Sequence, residues 1–225
     1  MRARPDVGVL LLLRHGQGSM GTSDYDQLSE LGYRQARSAG ARLARADLSI
    51  SQVWSGALAR QQDTALAVLA ELGRPPSDLC TDVRLDEYDP RGVLGADTAG
   101  DPFAAATTPA SGRALQVTLD EALARWIQGG ADYPETHGAF TARVEAAVTS
   151  LAAMPGTTLA VTSAGVIAVA CAQLTGLPAD RWPALARIAV NASITKLITG
   201  STGTHLLTFN DHAHLEGDRS LVTYR

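Results

Sequence analysis

Val9-Leu10-Leu11-Leu12-Leu13-Arg14-His15-Gly16-Gln17 is the stretch whose reading decides the fold. Five apolar residues end abruptly in an arginine, a histidine and a glycine. A short apolar run with no polar alternation suits a strand covered on both faces, as in a parallel sheet. In such sheets ligands bind just beyond the carboxyl ends of the strands, which is where Arg14 and His15 fall. Gly16 lets the backbone turn sharply or approach a ligand closely. An Arg-His pair at a strand end also suits an ordinary exposed surface, so the remaining chain must decide.

The totals exclude several classes. With 225 residues, 45% of them hydrophobic, the chain has material for one large α/β domain or two small ones. The net charge of −4 and the pI of about 5.7 argue against a nucleic-acid surface. Aromatic residues make up 5%, too few for a base-stacking platform. Two cysteines, Cys80 and Cys171, give neither a disulfide framework nor a zinc set. Cys171, between small apolar residues, reads as a core residue. The apolar run from Val7 to Leu13 is too short to span a bilayer, and no small-residue cleavage site follows it. The expectation is a cytoplasmic protein with no membrane or nucleic-acid partner.

Along the chain, Gln17 to Gln27 reads as a loop. Ser29 offers an N-cap and Ala36, Ala39 and Leu43 give a helical period, which predicts a helix over 30–45. Leu48 to Trp54 predicts a strand, Ala57 to Leu72 a helix stopped by Gly73, Pro75 and Pro76, and Leu79 to Leu85 a weak third strand. From Asp86 to Gly112 no period survives, and this reads as a long loop or insertion. Helices are predicted over 113–128 and around Phe140, Val144, Ala147 and Leu151. Thr157 to Thr162 predicts a second buried strand, followed by a helix over 166–174. Ile188 to Ile198 and His205 to Phe209 read as the last two strands. The polar alternation of Asn191, Ser193 and Thr195 predicts a strand with one wet face. Strands alternating with helices, with no linker, predict a single α/β unit over 1–225.

A second segment, Ser55-Gly56-Ala57-Leu58-Ala59-Arg60-Gln61, puts Arg60 in the first turn of a helix after a strand. Helix N-termini attract anions through free N–H groups, and a guanidinium adds a fork of donors that fits phosphate oxygens. Arg14 and Arg60 would together hold one phosphoryl group, with His15 between them as a nucleophile. A carboxyl group would supply the proton, and Asp86 and Glu87 are the candidates. His212 and His214 fall near the end of the chain, where a structural role outweighs reach into a site.

In this order the motifs resemble the histidine phosphatase superfamily, the phosphoglycerate mutase-like family. Arg14-His15-Gly16 looks like its signature, and Leu28 to Ala36 is similar to its loop-and-helix segment. Trp54 to Arg60 with Thr64-Ala65 resembles its second arginine motif, Leu85-Asp86-Glu87 the segment carrying its general acid, and Asn210-Asp211 with His214-Leu215 its C-terminal motif. The resemblance implies a three-layer α/β/α sandwich with a mostly parallel central sheet and an inserted helical or loop cap at about 88–136. It implies His15 as the phosphorylated nucleophile and Glu87 as the acid. Arg14, Arg60, Gln17 and Ser163 would contact substrate, a small phosphorylated molecule or inorganic phosphate. No cofactor and no metal would be needed, since the arginines do the neutralising that Mg²⁺ does in P-loop enzymes. A homodimer is left open.

One departure stands out. Val161-Thr162-Ser163-Ala164-Gly165-Val166-Ile167 aligns with a family segment that usually carries a second histidine where Ser163 stands. A hydroxyl donates one neutral hydrogen bond, about half as strong as a charge-assisted one. Losing a preorganised donor costs on the order of 10²–10³ in rate in a well-studied enzyme elsewhere. The expectations are therefore a phosphomonoester hydrolase working through phospho-His15, with activity that Ser163 weakens. The alternative is a phospho-ligand-binding protein with little or no turnover. A phosphoglycerate mutase ranks lower, because the insertion carries only Arg91 to hold a second anionic group.

Overall fold

The computed structural model describes residues 8–19, 26–46, 48–95, 108–130 and 132–224. Parts of the first loop (20–25) and of the insertion (96–107) lie outside the described residues. The element order is β1 Gly8–Arg14, α1 Glu30–Arg45, β2 Ile50–Ser55, α2 Ala59–Glu71, β3 Leu79–Thr81, α3 Pro90–Leu94, α4 Pro109–Gln128, α5 His137–Ala152, β4 Thr157–Thr162, α6 Ala164–Thr175, α7 Trp182–Ile188, β5 Ile194–Gly200 and β6 Gly203–Asp211. The sheet runs β3-β2-β4-β1-β5-β6. β1, β2, β3 and β4 pair in parallel, whereas β5 and β6 are antiparallel additions beside β1.

The leucines of β1 organise two cores. Leu10 and Leu12 face one, shared with Ala122, Leu123, Phe140, Val144 and the apolar face of α6. Leu11 and Leu13 face the other, shared with Ala39 and Leu43 of α1 and Ala65, Val68 and Leu69 of α2. Alternate side chains of a strand point to opposite faces, so an unbroken leucine run is what a central strand between two helical layers requires. The result is the three-layer α/β/α arrangement expected from the sequence.

Several boundaries follow local chemistry. Ser29 caps α1 by accepting from the Gly32 N–H, and Glu30 places negative charge in the first turn. α6 starts two residues before the apolar stripe suggests and ends at Gly176, whose left-handed conformation (φ 69°) suits a helix terminus.

Four expectations need correction. The long aperiodic segment contains the short helix α3, and α4 starts at Pro109 rather than residue 113, because Thr108 and Ser111 form a capping box. The third strand ends at Thr81, and Val83–Leu85 form a 3₁₀ turn. Trp182–Ile188 is a helix where no helix is predicted, and β5 begins only at Ile194. Asn191, Ser193 and Thr195 have no wet face: all three are buried.

β1 and β4 are neighbours, yet the helices that follow them, α1 and α6, pack on opposite faces. Two adjacent parallel strands whose connections diverge leave a crevice at their carboxyl ends, so the crevice opens beside Arg14 and Thr162, which are opposite one another in the register.

Leu12 is fully buried in this central strand. Leu12→Ala should destabilise the fold by about 2–5 kcal/mol, measured as a lower urea midpoint with an unchanged slope.

Candidate active site

The β1/β4 crevice opens into a cavity of about 300 Å³ lined by Arg14, His15, Arg60 and Glu87 at its inner end. Arg14, His15 and Arg60 are only 7%, 5% and 8% exposed, so each must find polar partners within the protein.

His15 is fixed at both ring nitrogens. Its backbone N–H continues the β1/β4 ladder to Thr162 O at 2.8 Å. Its Nδ1–H donates to Gly16 O at 2.7 Å, and its Nε2 accepts from Arg60 Nε–H at 3.2 Å. Only a neutral imidazole protonated at Nδ1 satisfies both bonds. Burial holds its pKa well below 6.5, and the nearby Arg60 and Arg14 charges push it the same way. The loop behind the ring is pinned: Gly16 N–H donates to Thr64 Oγ1, and the His15 carbonyl accepts from Ala192 N–H and Asn191 Nδ2. A Cβ on Gly16 would lie 2.4 Å from Gly32 O, so the close approach of this loop to α1 requires a glycine.

The two arginines are held differently. Arg14 donates from Nη1 to the carbonyls of Ala189 and Tyr224, the latter at 3.1 Å. Arg60 donates from Nη1 to Asp26 Oδ1 at 2.6 Å. Asp26 also accepts the Ala59 N–H through Oδ2 at 2.8 Å, and Asp86 Oδ1 accepts the Ala57 N–H at 2.6 Å. The N-terminus of α2 thus binds carboxylates of the chain itself. The sequence-based expectation that its free amides hold the ligand is corrected for the Ala57 and Ala59 N–H groups, and the anion-binding groups facing the cavity are guanidiniums.

The structure separates the two candidate carboxyls. Glu87 reaches the cavity, accepting from the Gly165 N–H at 3.0 Å and from its neighbour Tyr88 N–H at 3.3 Å. Burial raises its pKa above the usual 4.5, against the opposing pull of those amides and the two arginines. Asp86, also raised by burial, is spent on the α2 terminus and is not among the cavity-lining residues.

Ser163 and Gln17 do not line the cavity. Gln17 faces α1, its N–H donating to Gln35 Oε1 and its Oε1 accepting from Ser29 Oγ. Ser163 is fully buried and its Oγ accepts from Gln61 Nε2 at 2.9 Å. Gln61 Nε2 also donates to Leu85 O at 3.1 Å, which fixes the orientation of the amide, and Gln61 Oε1 is buried without a partner among the described residues. His212 and His214 bond the backbone at Asn210 and Ala192, away from the cavity.

Sequence reasoning missed Asp26, Gln61, Trp182 and Tyr224. Asp26 sits in a polar loop with no motif around it. Tyr224 lies 210 residues from the arginine it serves. For Gln61 a signal existed: a long polar side chain directly after Arg60, on the helix face that carries Thr64 and Ala65.

A neutral imidazole flanked by two guanidiniums, with a carboxyl of raised pKa at the same cavity, is the equipment of a phosphoryl-handling site on an α/β sheet. The comparisons specify the family. The model of the histidine phosphatase superfamily (branch 1) matches residues 10–212, and the chain belongs to that superfamily. It is 38% identical over 88 residues to a 2,3-bisphosphoglycerate-dependent phosphoglycerate mutase of Methylobacterium sp. (strain 4-46). That match covers 36% of this chain and 42% of the relative, so the chain spans less than half the length of the curated relatives it matches. Among solved structures, a mycobacterial hydrolase superimposes with a TM-score of 0.62 at 27% identity, covering 91% of this chain and 98% of the other. A mycobacterial glucosyl-3-phosphoglycerate phosphatase in complex with inorganic phosphate superimposes with a TM-score of 0.61 at 26% identity, covering 92% and 99%.

Two outcomes follow from the geometry. A Cβ on Gly165 would lie 2.2 Å from Glu87 Oε1, so Gly165→Ala should displace that carboxyl. A shift of about 1 Å costs on the order of 10² in rate, and kcat for an aryl phosphate should fall by that order while inorganic phosphate still inhibits. The Gln61 amide lies against Ser163, so Ser163→His alone should overpack the site by about 1–3 kcal/mol and give no gain in rate. Only Ser163→His combined with Gln61→Ala makes room for the ring, and a kcat above wild type in the double variant alone is the expected result.

Proposed function

We propose that the protein is a phosphomonoester hydrolase that works through a phosphohistidine on His15. The observation that carries this reading is the Arg60 Nε–H to His15 Nε2 contact, with Nδ1 tied to Gly16 O. It leaves the imidazole neutral, with the lone pair of Nε2 directed at a guanidinium. An entering phosphoryl group draws that N–H to its own oxygens and exposes the lone pair to phosphorus. Arg14 and Arg60 carry the charge of the phosphoryl oxygens, and charge stabilisation supplies most of the barrier lowering in this type of transfer. Glu87 protonates the leaving oxygen and then takes a proton from the water that opens the phosphohistidine. Within the insertion, α4 serves as the cap, since it lies along the cavity. The substrate or product phosphate is the ligand, in keeping with the phosphate complex of the glucosyl-3-phosphoglycerate phosphatase.

A second reading, a phospho-ligand-binding protein without turnover, is favoured by one observation: Ser163 bonds Gln61 and does not line the cavity, so the serine supplies no donor there.

The test is hydrolysis of an aryl phosphate with acid quench. Wild-type protein should show turnover and an acid-labile phosphoenzyme, and His15→Ala should show neither. Full activity in His15→Ala would end the phosphohistidine reading, and no turnover in either protein would leave the binding reading.

The pH profile follows from the two shifts. His15 works neutral and its pKa is lowered, so the acid limb of kcat/KM lies below pH 6.5. Glu87 works protonated and its pKa is raised above 4.5, so activity falls as pH rises through that raised value. Glu87→Gln should lower kcat by about 10²-fold or more and flatten the alkaline limb while leaving the acid limb in place.

A further inference from the structure

Beyond the phosphoryl end, the cavity is walled by two helices. Leu115, Leu119 and Leu123 recur every four residues along one face of α4, and Trp182, Pro183 and Ala186 project from α7. Trp182 is 2% exposed and rigidly set: its Nε1–H donates to His137 Nε2 at 3.1 Å, and Tyr88 and Phe140 pack against it. An indole held in this way offers a fixed apolar face to whatever enters.

The charges on this wall cancel. Among the described residues lining the cavity, the cations are Arg14, Arg60 and Arg187. Arg187 lies across the mouth from α4, its Nη2 2.8 Å from Asp120 Oδ2, while Asp120 Oδ1 accepts from Gln116 Nε2 at 2.8 Å. A leaving group bearing its own carboxylate or second phosphate would have to detach Arg187 from Asp120 and sit beside the Asp120 carboxylate. Like charges at that range repel. An uncharged apolar group meets no such obstacle and gains from leaving water.

We infer that the substrate is a phosphate monoester of an uncharged, predominantly apolar alcohol, aromatic or branched aliphatic, seated on the α4 leucines and Trp182. The partly exposed Asp120–Arg187 pair disfavours leaving groups that carry a second negative charge. A cavity of about 300 Å³ lies at the small end of the range for small-molecule sites, so the alcohol has the size of one or two rings. The inference rests on the phosphatase reading only for the orientation of the ester, with its phosphoryl group at Arg14 and Arg60.

The experiment separates the two. Calorimetric titration of the His15→Ala protein measures binding without turnover, using 1-naphthyl phosphate, inorganic phosphate and 3-phosphoglycerate. 1-Naphthyl phosphate should bind about tenfold or more tightly than either of the others. Leu119→Lys, at a partly exposed helix position, should bring the naphthyl to 3-phosphoglycerate affinity ratio close to one. Asp120→Asn, which releases Arg187, should tighten 3-phosphoglycerate several-fold. Equal affinities, a preference for 3-phosphoglycerate, no binding of the naphthyl ester, or ratios unmoved in both variants would overturn the inference. Failure of the phosphohistidine reading registers elsewhere, as ester hydrolysis that survives in His15→Ala.

Discussion

Two guanidiniums and a neutral imidazole share one buried place at the end of β1, and much of the surrounding chain serves to make that tolerable. Burying like charges together is costly unless each finds a partner. Arg60 finds Asp26, and Arg14 finds the carbonyls of Ala189 and Tyr224. The imidazole relieves the cluster by staying uncharged, which its burial and the two neighbouring guanidiniums enforce against the opposing pull of the Gly16 carbonyl. Burial raises the pKa of Glu87, so this carboxyl leans toward its uncharged form beside the cluster. The phosphoryl group proposed above would bring further negative charge to this pair of arginines.

The departure at Ser163 looks different in this light. The side-chain partner of Ser163 is Gln61. The serine is small and sealed, and the glutamine fills the space in front of it while bonding Leu85 O. Leu85 O in turn accepts from Thr162 Oγ1 at 2.6 Å, so β4, α2 and the segment before Glu87 are tied at one carbonyl. These bonds are made two residues before Glu87, and the polar groups at the inner end of the cavity are those of Arg14, His15, Arg60 and Glu87.

What the sequence discloses depends on whether the cause is local. The leucine run of β1, the Ser29 cap of α1 and the apolar run of β4 carry their own boundaries: α1 and β4 match residue for residue, and β1 extends the apolar run by one residue at each end. Arg14, His15, Arg60 and Glu87 were legible because ordered motifs mark them. The rest depends on distant partners. α7 has seven residues and no side-chain cap, so packing of Trp182 against Tyr88, Phe140 and His137 decides it. Asn191 and Ser193 alternate like an exposed strand but lie buried under the His15 loop, where Ser193 O receives the Arg14 N–H. Ala192 between them takes a left-handed φ of 58°, a choice imposed by those contacts and invisible in alanine itself. Gln17 and Ser163 carry motif positions whose side chains the fold turns to neighbouring helices.

The carbonyl of Tyr224 has a mechanical consequence. Arg14 and this acceptor stand 210 positions apart in the chain yet share one hydrogen bond. The Asn191–Thr223 and Gln35–Thr223 bonds tether the same closing strand of chain. A molecule in which this segment comes away loses one acceptor of Arg14 and both side-chain links of Thr223 together. The segment thus works as a stay, bracing the buried cation against parts of the chain that are distant in sequence.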